Sequence, residues 1–461
     1  MQVYYRILND LLIQPFKPRK DLYKMSFADT LSDQERKRAR IYAYCSTYSG
    51  CISEVMLDHS AIIILFFTML KASPMATMFS TSITSLLSLF LYIPCAFLAD
   101  KIGLKVSVKY SCIIACAGFL MIASAPFFPE EYAVWVALAG SFVFCMQRSW
   151  YGAAWYPLLD NFLKAEERGK FFSVMRTSYM IFNGVFFFLL GLILGKEPPF
   201  WLMQSVIAFA GVAMLLRWYC ISKFPMPSEK DSVSAMDFRK SLELSMRNAP
   251  LTGFSTYLLI FSIAHAALIP LTLIYLRKEI QLSPGTVQIL SSVGMAGSIT
   301  GHFLYQYVSR KLKIKWIELI VHLSCVLLPL CMFLLGRNVP FFTVLVGILL
   351  FLQYGFGAWW LSNNSMEYLA LARPGNKTMA MAYCQTYLNL GSTIGRVGTS
   401  LLLGVGILAP AWKIGEQSFT LYHTLFLFST ILGTICLVLI PILPSFIPRH
   451  NDYYNAADNK K

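Results

Sequence analysis

Charged residues are scarce in this chain of 461 residues. Asp, Glu, Lys and Arg together make up only 14% of it, while hydrophobic residues make up 56%. A soluble domain carries about 25% charged residues, which cover its wetted surface. The deficit excludes an ordinary soluble globular protein, and it is expected of a chain whose outer surface faces lipid, where each charge is costly.

Cysteine and histidine patterns that build covalent or metal frameworks are also missing. None of the 11 Cys residues forms a CxxC pair, and the six His residues show no metal-ligand spacing. The chain is therefore expected to have no disulfide framework, no metal site and no cofactor. A cleavable secretory signal is absent too, because polar residues interrupt Met1–Phe16, a stretch that resembles an amphipathic helix at a membrane surface.

Signatures of other function classes are lacking as well. The net charge of +15 does not indicate nucleic-acid binding, because the basic residues lie in short loops between apolar runs. No HExxH, GxSxG or GxxxxGK[ST] sequence is present, and the chain is not expected to be an enzyme. Nothing in it resembles the selectivity filter of a channel.

Long apolar runs dominate what is present, and a membrane-crossing helix needs about 20 mostly apolar residues. The pattern predicts an all-α membrane protein of about twelve transmembrane helices in two six-helix bundles. The predicted spans are 42–70, 74–98, 106–127, 133–160, 170–195, 199–221, 251–276, 284–308, 316–336, 341–369, 378–408 and 420–446. The predicted regions are an amphipathic and basic segment 1–41, an amino-terminal bundle 42–222, a linker 223–250, a carboxy-terminal bundle 251–447 and a tail 448–461.

The distribution of Lys and Arg predicts the orientation. Segments on the same side as the amino terminus hold 29 of the 39 basic residues, and the opposite loops hold only six. Because cytoplasmic loops are enriched in Lys and Arg, both termini are expected in the cytoplasm. The short loops favour a bacterial inner membrane.

The two halves are similar in sequence at the fourth span of each half. Residues 148–157 and 353–360 are both rich in Trp, Tyr and Gly, and each stretch is followed by an acid and then a basic turn. Repeated halves with a site between them are a common plan of transporters. Chance similarity between two Trp-rich apolar runs is the alternative explanation.

The loop after the second span carries a family resemblance. Residues 96–105 resemble the signature G-x-L-a-D-r-x-G-r-k of the major facilitator superfamily, and they depart from it at Ala96 and Leu104. Arg148-x-x-x-Gly152 resembles the fourth-helix motif of the same family. The resemblance covers span count, orientation and linker. It implies a transporter that works by alternating access, and it identifies no substrate.

Charges at the cytoplasmic helix ends form a candidate gate, which the resemblance supports. A plain topology signal or an ordinary helix-end role is the alternative. The candidate gate residues are Asp100, Lys101, Gly103, Lys105, Asp160, Arg168, Arg176, Glu367 and Arg373.

Three charges fall inside predicted spans at similar depth. Glu54 and Asp58 are four residues apart, which places both carboxylates on one face of a helix, and Arg148 lies in the fourth span. Some members of the family pair a first-helix acid with a fourth-helix arginine for proton coupling. The hypothesis is that protonation of Glu54 or Asp58 releases Arg148, with sodium as the other possible ion. A permanent structural salt bridge is the alternative.

Amides and aromatic residues recur at interior depths, and they suit a hydroxyl-rich ligand such as a sugar or glycoside. The alternatives are interfacial belts and helix-joining hydrogen bonds. The candidate substrate residues are Gln147, Trp155, Asn183, His265, Gln288, Trp359, Asn363, Asn364, Gln385 and Asn389. The sequence thus predicts a monomeric secondary transporter of a small polar solute in a lipid bilayer, with efflux of drug-like compounds or a non-transporting sensor or scaffold as alternatives.

Overall fold

The computed structural model describes residues 27–226, 238–312, 314–336, 339–372, 376–414 and 417–442. The predicted surface helix Met1–Phe16, residues 227–237 of the predicted linker and the tail 448–461 lie outside these ranges. The described chain is almost entirely helical, which confirms the predicted fold class.

Within the described residues, the amino-terminal half contains eight α-helices, of which the first is a short helix before the first span. They are α1 (Phe27–Thr30), α2 (Asp33–Asp58), α3 (Ile62–Met69), α4 (Pro74–Ile102), α5 (Leu104–Ser124), α6 (Glu130–Asp160), α7 (Ala165–Leu194) and α8 (Phe200–Ser222). A 3₁₀ turn, Ala125–Phe127, follows α5. Gly103 separates α4 from α5 with φ +91°, a backbone conformation that glycine adopts without strain.

The carboxy-terminal half follows a short polar helix, α9 (Phe238–Met246). Its spans are α10 (Ala249–His265), α11 (Leu268–Lys278), α12 (Pro284–Lys311), α13 (Ile314–Leu334), α14 (Phe342–Leu371), α15 (Lys377–Gly404) and α16 (Leu421–Ile442). The loop before α16 folds as an unpredicted antiparallel hairpin of β1 (Ala411–Ile414) and β2 (Gln417–Thr420), in which Ala411 pairs with Thr420.

Each predicted span coincides with one helix or one helix pair. By length and composition alone, eight of the described segments are suited to crossing a membrane, or up to nine if the bent pair α2–α3 is one span. The other three, α6, α12 and α15, are 31, 28 and 28 residues long but contain more polar residues.

The same helix pairing recurs in both halves. Spans two, three and four pack together as α4, α5 and α6, and spans eight, nine and ten pack together as α12, α13 and α14. Across the halves, α4 packs on α15 and α7 packs on α12. Span two therefore meets span eleven as span five meets span eight. This arrangement supports the repeat inferred from the sequence.

The first and seventh spans, predicted at 42–70 and 251–276, are each interrupted: the first by a bend between α2 and α3, and the seventh by a turn at Ala266 and Ala267 without a comparable bend. Helices α2 and α3 meet at an angle of 55°. Ser60 Oγ accepts from the Ile62 N–H at 3.2 Å, a local bond that competes with the helix. In the seventh span, Pro270 has no N–H to donate to the carbonyl of Ala266, and its ring crowds that carbonyl.

Candidate functional site

The two helix breaks lie where the halves of the protein meet. The His59 carbonyl oxygen accepts hydrogen bonds from Ser291 Oγ at 3.1 Å and Tyr354 Oη at 3.0 Å, both from the other half. The Ala61 N–H donates to Gln288 Oε1 at 3.1 Å. The backbone groups released by the first break are thus satisfied by polar side chains across the junction.

At the second break, the Arg396 side chain likewise binds main-chain groups. Its Nε donates to the Ala266 carbonyl at 3.0 Å, and its Nη1 donates to the Thr81 carbonyl of the other half at 2.5 Å. The structure shows that Arg396 binds main-chain oxygens of both halves, so the guanidinium joins them without needing a carboxylate.

An ion cluster lies beside the first break, in the amino-terminal half. Arg148 Nη1 is 2.5 Å from Glu54 Oε2, and Arg148 Nη2 is 3.3 Å from Asp58 Oδ2. Asp58 Oδ1 also accepts from Thr84 Oγ1 at 3.0 Å. The three residues predicted to interact do come together, with both acids on one face of α2.

Arg217 of α8 completes this cluster, and the sequence analysis did not select it. Its Nη1 is 2.5 Å from Glu54 Oε1, and its Nε donates to the Ser46 carbonyl at 3.1 Å. The side chain is fully buried, with its Cζ 4.2 Å from the centre of the Tyr151 ring. Its partner Glu54 is 163 residues away in the sequence, so no local pattern pointed to the pair. The cluster of Glu54, Asp58, Arg148 and Arg217 is called the amino-terminal ion cluster below.

The carboxy-terminal half contains two buried acids that form no ion pair with an arginine among the described residues. Glu318 of α13 accepts from Tyr257 Oη at 2.6 Å and also accepts from the Asn363 amide. Glu367 of α14 is buried nearby, and its Oε2 has no hydrogen-bond partner among the described residues. Glu318, Glu367, Tyr257 and Asn363 are called the carboxy-terminal acid cluster below. Glu318 and Tyr257 were not predicted as site residues.

The halves contact each other closely at one end. The Gly285 N–H donates to the Gly195 carbonyl at 2.9 Å, and a Cβ on Gly285 would lie 2.5 Å from that oxygen. Lys278 Nζ donates to the Ala72 carbonyl at 2.7 Å, and Ser400 Oγ donates to the Met75 carbonyl at 2.8 Å. This end, which carries residues 71–75, 195 and 278–285, is called the closed end.

A cavity separates the halves toward the other end. It has a volume of about 370 Å³ and lies between the first half of α7 and the second half of α12. Small-molecule sites occupy about 300–1,000 Å³, so the cavity has the size of a small solute. Its lining residues are Phe172, Met175, Arg176, Thr177, Tyr179, Met180, Ile299, His302, Phe303, Tyr305, Gln306 and Ser362.

Most of the predicted substrate residues have structural partners. Gln288 joins the halves, Trp155 stacks on Tyr151 at 4.9 Å, and Trp359 donates to the Gly301 carbonyl at 2.9 Å. His265 Nδ1 lies 3.1 Å from Cys325 Sγ. These contacts agree with the helix-joining alternative.

Other predicted substrate residues remain candidates. Gln147 and Asn364 are fully buried, and neither side-chain amide has a hydrogen-bond partner among the described residues. Asn183 donates to the Tyr179 carbonyl at 2.8 Å, and its own oxygen has no such partner. Gln385 and Asn389 are half-buried on α15. The described cavity lining includes none of the ten predicted substrate residues.

The predicted gate residues separate into several groups. Lys105 Nζ donates to the Phe224 carbonyl at 2.7 Å, and Lys101 Nζ lies 4.6 Å from the centre of the Phe97 ring. Arg176 lines the cavity. Asp100, Asp160 and Arg168 are described by their helical backbone alone, and Arg373 lies outside the described residues.

An unpredicted ion pair lies near these residues. Arg40 Nη2 of α2 is 2.9 Å from Glu167 Oε2 of α7. In the described ranges, no group of three or more His, Cys, Asp or Glu side chains is placed to hold a metal ion.

Comparison with solved structures identifies proteins that have a similar fold. The nucleoside transporter NupG matches with a TM-score of 0.63 and 14% identity, over 88% of this chain and 98% of that chain. The xylose transporter XylE from E. coli, in an inward-open conformation, matches with a TM-score of 0.60 and 11% identity, over 90% and 95%. A POT family transporter in complex with 5-aminolevulinic acid matches with a TM-score of 0.62 and 12% identity, over 89% and 96%.

Such low identities show similarity of fold only. A comparison with curated protein sequences finds no significant match. A family profile nevertheless matches residues 50–396, which is most of the chain and includes both halves. Together with the apolar helices, this match shows that the chain is an integral membrane protein and belongs to the Major Facilitator Superfamily.

Proposed function

We propose that this protein is a secondary transporter, which carries a small polar solute by alternating access and couples its movement to protons. The observation that carries the proposal is the meeting of two broken spans, the first and the seventh, at the junction of the two halves. Interrupted helices at corresponding positions of two repeats are a recurrent feature of transporter binding sites.

Alternating access is supported by the uneven contact between the halves. Helices α7 and α12 touch through Gly195 and Gly285 at the closed end, and they enclose the cavity further along. For the solute to leave on the other side, these backbone contacts must separate and the cavity must close. With both termini in the cytoplasm of a bacterial cell, the cavity side faces the cytoplasm.

Proton coupling is assigned first to Asp58 in the amino-terminal ion cluster. Glu54 bonds to two arginines at 2.5 Å each, whereas Asp58 is 3.3 Å from Arg148 and accepts a neutral bond from Thr84. Asp58 can therefore gain a proton at a smaller electrostatic cost than Glu54. Protonation weakens its hold on Arg148, whose side chain is 31% exposed and can move.

The cavity lining supports the proposed solute class. Tyr179, Phe172 and Phe303 provide aromatic surface, and Thr177, Gln306 and Ser362 provide hydroxyl and amide groups. Such a mixture suits a hydroxylated solute such as a sugar or glycoside. Arg176 in the same lining would favour solutes with an anionic group over cationic drugs.

A two-stage experiment tests the proposal. The purified protein is first screened by thermal shift against sugars, nucleosides, amino acids, organic anions and cationic drugs, because a ligand of the folded state raises the melting temperature. The best ligand class is then tested as a radiolabelled solute in proteoliposomes with an imposed proton gradient. Accumulation that collapses with a protonophore is the expected result.

Two variants serve as controls in the uptake assay. Glu130→Gln removes an exposed carboxylate that pairs with Lys71 outside the cavity, and it should transport like wild type. Asp58→Asn should still exchange labelled for unlabelled solute but should not accumulate it. Saturable binding without any uptake or exchange would overturn the transporter proposal and favour a sensor.

A further inference from the structure

The acids of the carboxy-terminal cluster are buried without a compensating cation. Glu318 and Glu367 are each only 1% exposed, and among the described residues neither forms an ion pair with a Lys or Arg. A buried, unpaired carboxylate is far more costly than a neutral acid, so the cluster requires a proton.

His322 does not replace the missing cation. Its Nδ1 lies 2.7 Å from the Glu318 main-chain carbonyl oxygen and 3.8 Å from Glu318 Oε2. The closer oxygen is the acceptor that an N–H on this nitrogen would use, while Nε2 has no hydrogen-bond partner among the described residues. A neutral imidazole satisfies this geometry.

The contacts of Glu318 suit a proton better than a metal ion. Tyr257 Oη lies 2.6 Å from Oε2, and the Asn363 amide nitrogen donates to Oε1. Both carboxyl oxygens thus face hydrogen-bond donors, which occupy positions that a sodium ion would need and which offset only part of the cost of burying the ionised acid. A Tyr hydroxyl both donates and accepts, so the Tyr257 contact can serve the ionised acid as acceptor and the neutral acid as donor.

A hydrogen-bonded path leads from Glu318 to the cavity. Asn363 Oδ1 accepts from Tyr305 Oη at 3.1 Å, and Tyr305 lines the cavity between α7 and α12. The acid is therefore two side chains away from the space proposed for the solute. A change in the position of α12 relative to α14 would alter this path.

We propose that Glu318 is a second proton-binding site, neutral in this state, and that Asn363 and Tyr305 link its protonation to the cavity. The proposal rests on the transporter function proposed above and adds a coupling site in the half opposite Asp58. Glu367 is the other buried acid of the carboxy-terminal acid cluster. The titratable side chains around this site are Tyr257 on α10, Tyr305 on α12, His322 on α13, Glu367 on α14 and Cys436 on α16.

The test measures protonation directly and needs no solute. Infrared difference spectra of the wild-type protein in lipid are recorded while pH is raised from acidic to alkaline values. A protonated carboxylic acid shows a carbonyl stretch that disappears on ionisation. We expect one such buried-acid band at neutral pH, absent in Glu318→Gln and retained in the matched exposed control Glu130→Gln.

Further variants cover failure to fold and assignment to the wrong acid. If Glu318→Gln does not fold, Glu318→Asp keeps an acid at this position but draws it away from Asn363, and the band must then change frequency. If Glu367→Gln removes the band and Glu318→Gln does not, the proton is on Glu367 and the proposal is wrong. A band missing from the wild-type protein at neutral pH would also overturn it, because Glu318 would then be ionised, paired with His322 or with a bound sodium ion.

Transport separates this inference from the function on which it depends. In proteoliposomes, Glu318→Gln should exchange solute within twofold of the wild-type rate but should accumulate less than one tenth as much. If the wild-type protein shows no uptake, the proposed function fails. If the wild-type protein couples to protons and Glu318→Gln does so equally well, only the second site fails.

Discussion

The two halves of the protein bury acids in contrasting ways. In the amino-terminal ion cluster, Glu54 and Asp58 face Arg148 and Arg217, so two negative charges meet two positive ones. In the carboxy-terminal acid cluster, Glu318 meets a hydroxyl and an amide instead, and Glu367 Oε2 has no hydrogen-bond partner among the described residues. Under the protonation proposed for Glu318, burial depth alone does not determine the charge state of an acid. The partners determine it, because each ion pair offsets part of the desolvation cost.

Removal of a buried arginine should cause the largest loss of folding stability, and it tests this comparison most strongly. Arg217→Met leaves Glu54 with one cation and deletes the bond to the Ser46 carbonyl. Breaking a buried ion pair costs about 3–5 kcal/mol of folding stability. We expect a large fall in melting temperature in detergent, measured by nanoscale fluorimetry. The double variant with Glu54→Gln should recover part of the loss, and equal melting of the single and double variants would contradict a charge-based explanation.

Crowding the same arginine should have the next largest effect. Gly50 lies against Arg217, and a Cβ at this position would be 1.6 Å from Arg217 Cζ. Gly50→Ala must therefore displace the guanidinium, at a cost of about 1–3 kcal/mol as for other overpacked sites. Gly398→Ala is the matched control, because a Cβ at Gly398 meets nothing within 4 Å. Similar melting temperatures for the two alanine variants would show that Arg217 is not confined by α2.

Neutralising Asp58 should cost less stability and more function. Asp58→Asn loses the 3.3 Å contact with Arg148 but keeps an oxygen for the Thr84 hydroxyl, so we expect a loss of about 1–2 kcal/mol. Accumulation in proteoliposomes should disappear while solute exchange persists, and the exchange rate should lose the part of its pH dependence that Asp58 contributes. An Asp58→Asn variant that accumulates solute with the wild-type pH profile would remove Asp58 from the coupling mechanism.

Neutralising Glu318 should have the smallest effect on stability. If the acid is already neutral, Glu318→Gln exchanges one uncharged group for another of similar shape, and the loss should stay below about 1 kcal/mol. The corresponding variant Glu54→Gln leaves Arg217 and Arg148 short of an anion, and it should melt at a much lower temperature. Equal losses for the two Glu→Gln variants, against the surface control Glu130→Gln, would abolish the contrast between the clusters.

Sequence reasoning predicted which charged residues lie together where the signal was local. Glu54 and Asp58 are four residues apart, so helical periodicity alone places them on one face. The loop with Gly103 was identified from its motif, and its positive φ agrees with a tight turn. The break in the seventh span had a signal in Pro270, which an apolar count does not register.

The same reasoning did not reveal the contacts of residues whose partners are distant in the sequence. Gln288 and Trp359 have side chains of the type that contacts polar substrates, yet they form hydrogen bonds with the backbone of neighbouring helices. Glu318 lies near the start of a span beside Lys315, where its sequence resembles an ordinary helix end. Only packing against α10 and α14 shows that it is buried beside Tyr257 and Asn363.

What the sequence by itself determined is the class of protein: a helical membrane chain in two related halves, with acids and an arginine inside the first and fourth spans. Apolar length and helical periodicity are local properties, and they can be read without knowing which helices touch. The tertiary structure alone decided which charges are compensated. The bond between Glu54 and Arg217 spans 163 residues, and that between Glu318 and Asn363 spans 45. Pairing across such separations depends on how helices pack, because no local pattern records the partner.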